Sequence, residues 1–216
     1  RARVLMDGLP YIQFHPTALY PKINGHTFLI TEAVRGAGGK LLNTQGERFM
    51  LKNDLKAELA TRDIVARGIQ SEIKNQKEGF VWLDGSRIDK KQWETHFPTI
   101  LETCSSLGID LPKDPIPVVP AAHYFCGGIK VNKRSESELK GLYAIGECSA
   151  TGLHGSNRLA SNSLLESLVF AQRAAQDSLS ALQENLPNES FYAAIPEWDG
   201  DAYSNSTEIK SIKNLR

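Results

Sequence analysis

Cysteine is scarce and badly spaced for chemistry. The three residues, Cys104, Cys126 and Cys148, are odd in number, far apart, and form no CxxC pair. That leaves no basis for a disulfide framework or a thiolate metal site, and buried reduced thiols are the expectation. No His pair has a close metal-ligand spacing such as HxxxH, so no metal is expected. Nor does any apolar run approach the ~20 residues of a membrane helix, so no membrane association is expected. No signal peptide is evident, and the expected compartment is cytoplasmic. An excess of one charge is also missing. Lys+Arg and Asp+Glu number 25 each, which argues against a nucleic-acid partner. The GxGxxG dinucleotide fingerprint is absent too, and Gly36-Ala37-Gly38-Gly39 does not supply one. The chain opens Arg-Ala-Arg-Val without a Met, as a piece of a longer protein would.

What is present suits a globular protein. The 216 residues are 41% apolar and 23% charged, enough for one large or two small domains with a real core. Tyr11 to Leu19 reads as a strand entering a turn at His15-Pro16, and Phe28 to Val34 is apolar but ambiguous in type. Gly36, Gly38 and Gly39 suggest a flexible segment. Leu41-Leu42, Asn43 to Gly46 and Arg48 to Met50 suggest a hairpin. Thr61 is a good N-cap, and Ile64, Val65, Ile69 and Ile73 follow at helical spacing. Phe80 to Leu83 reads as a strand. Trp93, Phe97, Ile100, Leu101, Cys104 and Leu107 form a helical stripe, interrupted or restarted at Pro98 and stopped by Gly108.

Four prolines from Pro112 to Pro120 mark a domain crossing. Beyond it, Ile129 to Val131 and Leu142 to Ile145 read as strands. Ser163 and Glu166 fit a capping box that opens a long helix. Its apolar stripe runs Leu164, Leu165, Leu168, Val169, Ala171, Ala174, Ala175, Leu179 and Leu182. From Pro187 the chain is polar and irregular, as a linker would be.

Three segments crowd polar residues against glycine: Gln13 to Thr17, Ala121 to Gly128, and Gly146 to Glu166. In the last, Glu147 stands at a strand's carboxyl end before a glycine-rich loop and a helix start. A carboxylate there suits a ribose or ribityl hydroxyl, and free N–H groups at the helix start suit the anionic edge of a flavin. The alternative is a packing corner with a capped helix. Arg62 lies in the first helical turn, where a cation opposes the helix dipole at a cost of roughly 0.3–1 kcal/mol. It is either an anion ligand or proton donor, or a surface partner of Asp63 or Asp54. His15 and His123, taken singly, are more often structural than catalytic.

In order, QFHPTAL (13–19), LITEAVRGAGG (29–39), ELATRDIVAR (58–67), PAAHYFCGGI (120–129) and GLYAIGECSATGLHGSNRLASNSLLE (141–166) resemble the flavoprotein family of succinate dehydrogenase, fumarate reductase and L-aspartate oxidase. The likeness covers roughly residues 1–180. It is nearest the oxidase branch, since Ala160-Ser161 stands where the dehydrogenases carry two glycines and HYFCGG is similar to HYTCGG. Departures are Phe125 for a usual Thr, Ser156 for Ala, and Ala37 and Gly39 where the family often has Glu and Ala.

The resemblance implies an α+β fold: a fumarate-reductase-type capping domain (1–115), then the returning strand–loop–helix segment of an FAD-binding α/β domain (116–182), then a linker and the start of a helical domain (183–216). It implies FAD-dependent oxidation of L-aspartate to iminoaspartate, with oxygen or fumarate as acceptor. That product feeds quinolinate formation and NAD synthesis, with quinolinate synthase as a partner. His15, His123 and Arg158 would hold the carboxylates of L-aspartate or fumarate, with Thr31 and Glu32 beside them. Arg62 would be the acid/base, and Glu147, Ser163 and Leu164 would contact FAD. Half of the FAD site is expected to lie outside these residues, so the chain alone should bind little FAD and turn nothing over. A dehydrogenase or reductase subunit, or a non-catalytic folded piece, are the competing readings.

Overall fold

The computed structural model describes residues 3–184. Its first strands are β1 (Met6–Asp7) and β2 (Ile12–Leu19). In β2 the usual alternation is inverted. Gln13 and His15 are buried while Ile12 and Phe14 are half exposed. A strand that turns polar side chains inward violates binary patterning, and such violations mark functional sites more often than errors.

Next come α1 (Glu32–Gly36), β3 (Lys40–Leu42), α2 (Arg62–Lys74) and β4 (Val81–Asp84). Then follow α3 (Lys90–His96), α4 (Pro98–Ser106) and β5 (Ile116–Phe125). An antiparallel sheet has the order β2-β5-β4-β3. Helix α2 buries Val65, Ala66, Gly68 and Ile69. Trp93, Phe49, Leu41, Leu83, Ile69 and Ile116 are shut off from solvent in one core. Each such side chain contributes about 1.5–3 kcal/mol by leaving water.

The pairing of β2 with β5 is irregular in two places. Gln13 faces Tyr124 but Phe14 faces Ala122, so His123 is an extra residue on β5. His15 faces Ala121 but Ala18 faces Val119, so β2 carries an extra residue at Pro16–Thr17. The turn expected at His15-Pro16 is therefore a β-bulge inside a continuous strand. Proline lacks the N–H that a ladder needs and is accommodated where the ladder is already broken.

A second sheet joins β1, β6 (Gly128–Lys130) and β7 (Ser149–Ala150), antiparallel then parallel. Backbones meet closely there. A Cβ on Gly127 would lie 2.4 Å from the Gly8 carbonyl, so no larger residue fits without movement. The chain then reaches α5 (Asn162–Glu184). Arg1–Ala174 is one compact unit. A second begins at Ala175, and its described part is the end of α5. Most of the expected linker, from 185 on, lies outside the described residues.

Other expectations shift locally. The ambiguous stretch near Phe28 divides into an Ala18–Leu29 bridge and α1. The glycine segment is hydrogen-bonded back to α1, through Gly38 N to Arg35 O and Gly39 N to Val34 O. The hairpin shrinks to a Leu42–Arg48 bridge, because Phe49–Lys52 is 3-10 helical and β3 pairs with β4 instead. Pro98 restarts a helix at its first turn, where a missing N–H costs nothing. Leu142 to Ile145 makes only a Glu136–Tyr143 bridge before a 3-10 turn at Gly146–Cys148.

Candidate active site

Both irregularities in the β2–β5 pairing deliver a histidine. The His15 and His123 rings face each other edge to face, with centroids 5.2 Å apart. The Thr17 N–H donates to His15 Nδ1 at 3.2 Å. That nitrogen is therefore the acceptor, and the proton of the neutral ring sits on Nε2. Burial first, then the charges of Arg62, His123 and Arg35, hold His15 down to about 3. His123 is lowered likewise, by burial and then by Arg62 and Arg158. Both rings are neutral at ordinary pH, and His15 presents an N–H donor. His123 Nε2 lies 3.3 Å from Arg158 Nη2. An arginine can only donate, so His123 accepts there.

Arg158 comes from the loop before α5 and is buried. Its Nη1 donates to Ser163 Oγ at 3.2 Å, its plane lies over the Tyr124 ring, and its Nε has no partner. Burial and the nearby Arg62 lower its pKa.

Arg62 enters from the start of α2. Its Nε donates to Glu32 Oε2 at 2.8 Å and its Nη1 to Gln13 Oε1 at 3.1 Å. Thr61 sits at the N-cap without capping, because its hydroxyl donates to Asp63 at 2.6 Å. The surface pairing with Asp63 that was open for Arg62 belongs to Arg67 instead. Arg35, buried on α1, has its pKa lowered by burial; Glu32 opposes that fall and Arg62 adds to it. Three arginines thus converge on one region, and like charges held together out of water favour an arriving anion.

Gln13 joins these parts, and in the sequence it stood in a polar segment with no role assigned. Its amide oxygen accepts from Arg62, while its Nε2 donates to Asn157 Oδ1 at 2.7 Å and to the Arg158 carbonyl at 2.5 Å. Asn157 in turn donates to Asp63 at 2.9 Å. The available signal was the inward phase of Gln13 with His15 on β2.

Of the residues singled out, His15, Glu32, Arg62, His123, Arg158 and Ser163 fall into this one network. Thr31 does not join it; its hydroxyl caps α1 by accepting from Ala33 N at 3.4 Å. Glu147 is exposed and accepts from Phe125 N at 2.8 Å. The capping box fails, since Ser163 serves Arg158 and Glu166 bonds Thr151 and His154. Leu164 is 71% exposed. Among the described residues no group of three His, Cys, Asp or Glu side chains is placed to hold a metal.

The residues fit a flavin. A helix start flanked by the open leucines Leu159, Leu164 and Leu165, an exposed carboxylate at Glu147 and an unpartnered Arg158 Nε suit a flat ring with an anionic edge and a hydroxylated tail.

Known proteins agree with that chemistry. A family model described as "FAD binding domain" matches residues 1–164. The L-aspartate oxidase of Acinetobacter baylyi is 50% identical over 210 residues, covering 96% of this chain and 37% of that protein. The Vibrio cholerae L-aspartate oxidase is 49% identical over 96% of this chain and 38% of its own length. The chain thus spans a little over a third of these relatives. Among solved structures, a quinol fumarate reductase of E. coli aligns with TM-score 0.77 and 35% identity, over 88% of this chain and 35% of the other. A quinol-fumarate reductase with menaquinol molecules gives 0.76 and 33%, over 98% and 38%. No helix among the described residues is long and apolar enough to cross a membrane. The chain belongs to the FAD binding domain family, alongside the L-aspartate oxidases.

Proposed function

We propose that these residues are the capping and C-terminal cofactor-contacting part of an L-aspartate oxidase, which converts L-aspartate to iminoaspartate. The observation that carries this is the single part-buried network of His15, His123, Arg158 and Arg62, a set of polar groups suited to a dicarboxylate. The residues before β5 are the cap. From β5 the chain passes directly into the small sheet and the loop that leads to α5, and this part faces the cofactor. Glu147, Ser163 and Leu164 would hold FAD, which when bound supplies the hydride acceptor for the substrate Cα–H.

Arg158 takes one carboxylate through its remaining N–H groups and fixes its plane. His15 donates from Nε2 to the other, and the Thr31 hydroxyl would add a hydrogen bond. Holding both ends fixes Cα, so much of the rate comes from positioning. With fumarate as acceptor, Arg62 would give a proton from its guanidinium to one alkene carbon, the other taking the hydride that bound reduced FAD supplies, and it would recover a proton through Glu32, whose side chain is 38% exposed.

The test uses the full-length FAD-loaded protein. L-Aspartate should yield peroxide in air, and Arg62→Lys should lose at least about a hundredfold in fumarate reduction. Near-full activity in that variant removes Arg62 from its role. Oxidation of succinate in place of L-aspartate moves the protein to the dehydrogenase branch. Expressed alone, residues 1–216 should show no flavin absorbance.

A further inference from the structure

One layer behind Arg158 lies a buried polar group that carboxylate binding does not use. His154 Nε2 and Glu166 Oε2 meet at 2.7 Å, with side chains 4% and 1% exposed. The Thr151 hydroxyl donates to the other Glu166 oxygen. The same His154 nitrogen, Nε2, lies 3.5 Å from the Tyr124 hydroxyl, and the two rings stand at 85°. The Tyr124 ring carries the Arg158 guanidinium carbon 4.3 Å from its centroid.

A buried carboxylate–imidazole contact is a poor way to hold a helix to a loop, because well-packed apolar side chains do this as well or better. Its placement suggests another use. Arg158 has two of its five N–H groups engaged, on Ser163 and His123. Those contacts leave its Nε without a partner. The Tyr124 face covers one side of the guanidinium. Among the described residues no carboxylate lies within ion-pair distance of Arg158. Imidazole and phenol are interposed, so Glu166 steadies the arginine without filling its fork. Burial and then Glu166 push the Tyr124 hydroxyl up to about 12, so it stays neutral, and its oxygen accepts a share of the His154 Nε2–H that Glu166 also takes.

We propose that the Glu166–His154 pair positions Arg158: it anchors the Tyr124 hydroxyl, whose ring sets the plane in which the guanidinium receives a carboxylate. This rests on Arg158 being a carboxylate ligand, as argued above.

The experiment compares Tyr124→Phe, Glu166→Gln and the double variant in the full-length FAD-loaded protein. Succinate affinity is measured by calorimetry, and KM and kcat are measured for L-aspartate. Each single variant should weaken succinate binding and raise KM about tenfold, with kcat per bound FAD held within about threefold. The double variant should be no worse than Tyr124→Phe, because both act through one path. Unchanged succinate affinity in the folded variants, or losses that multiply in the double, overturns the proposal. Should Glu166→Gln not fold, Tyr124→Phe decides alone, since it removes one hydroxyl and keeps the ring. If the unaltered protein binds succinate yet leaves L-aspartate untouched, the oxidase reading fails while the succinate affinities still decide this one. If it binds no dicarboxylate, the positioning role falls with it.

Discussion

The four-stranded sheet region and the stretch from Leu153 into α5 are built from similar leucines put to opposite use. In the first, Leu19, Leu41 and Leu83 are fully enclosed. In the second, Leu153, Leu159, Leu164, Leu165 and Leu168 are all more than half exposed. Both are rich in apolar residues. The difference teaches that a period shows which residues share a face but not what covers it. In the sheet region the chain supplies the cover itself.

The sharpest way to break that contrast is one substitution made twice. Leu83→Ala should cost about 2–5 kcal/mol in denaturant unfolding of this chain, by lost burial plus a cavity. Leu168→Ala should stay within about 0.5 kcal/mol. Equal losses would mean that the exposed leucines are covered in solution. Gly127→Ala probes the close-packed small sheet. Its Cβ would meet the Gly8 backbone at 2.4 Å, and overpacking of that kind costs about 1–3 kcal/mol in the same assay.

The effect of pH builds gradually. His15 is held at about 3 in the fold, against 6.5 for the ordinary side chain. The unfolded chain therefore binds the extra proton first. Stability from this group is complete above pH ~6.5 and falls by on the order of 1 kcal/mol per pH unit toward 3. His123, lowered in the same direction, adds to it. Denaturation midpoints from pH 7.5 to 4.5 should fall, and His15→Gln should flatten the slope.

Much of this was legible in the residues. Helix α2 and its Thr61 boundary and the helical stripe through Trp93 follow from periodicity, and the six site residues that come together were named by the family resemblance. What escaped was set by distant partners. The capping box at Ser163 was locally sound, yet Glu166 does better against His154 and Ser163 against Arg158. The hairpin after Leu42 lost to pairing between β3 and β4. Gln13 had no role assigned because an amide inside a strand has no local signature of use, and its value comes from two arginines about 50 and 145 residues away.

The two irregularities between β2 and β5 cancel. Gln13 to Ala18 and Val119 to Tyr124 are stretches of equal length, so pairing beyond His15 resumes in the phase that it held before. Each strand makes one slip, and each slip corrects the other. Deleting Thr17 alone, or His123 alone, would carry the error down the rest of the ladder and turn every following side chain to the wrong face. Deleting Thr17 and His123 together would restore a plain antiparallel ladder and erase the histidine pair. Here the sheet is indifferent to the site, and the site exists as a matched pair of insertions that the sheet can tolerate only together.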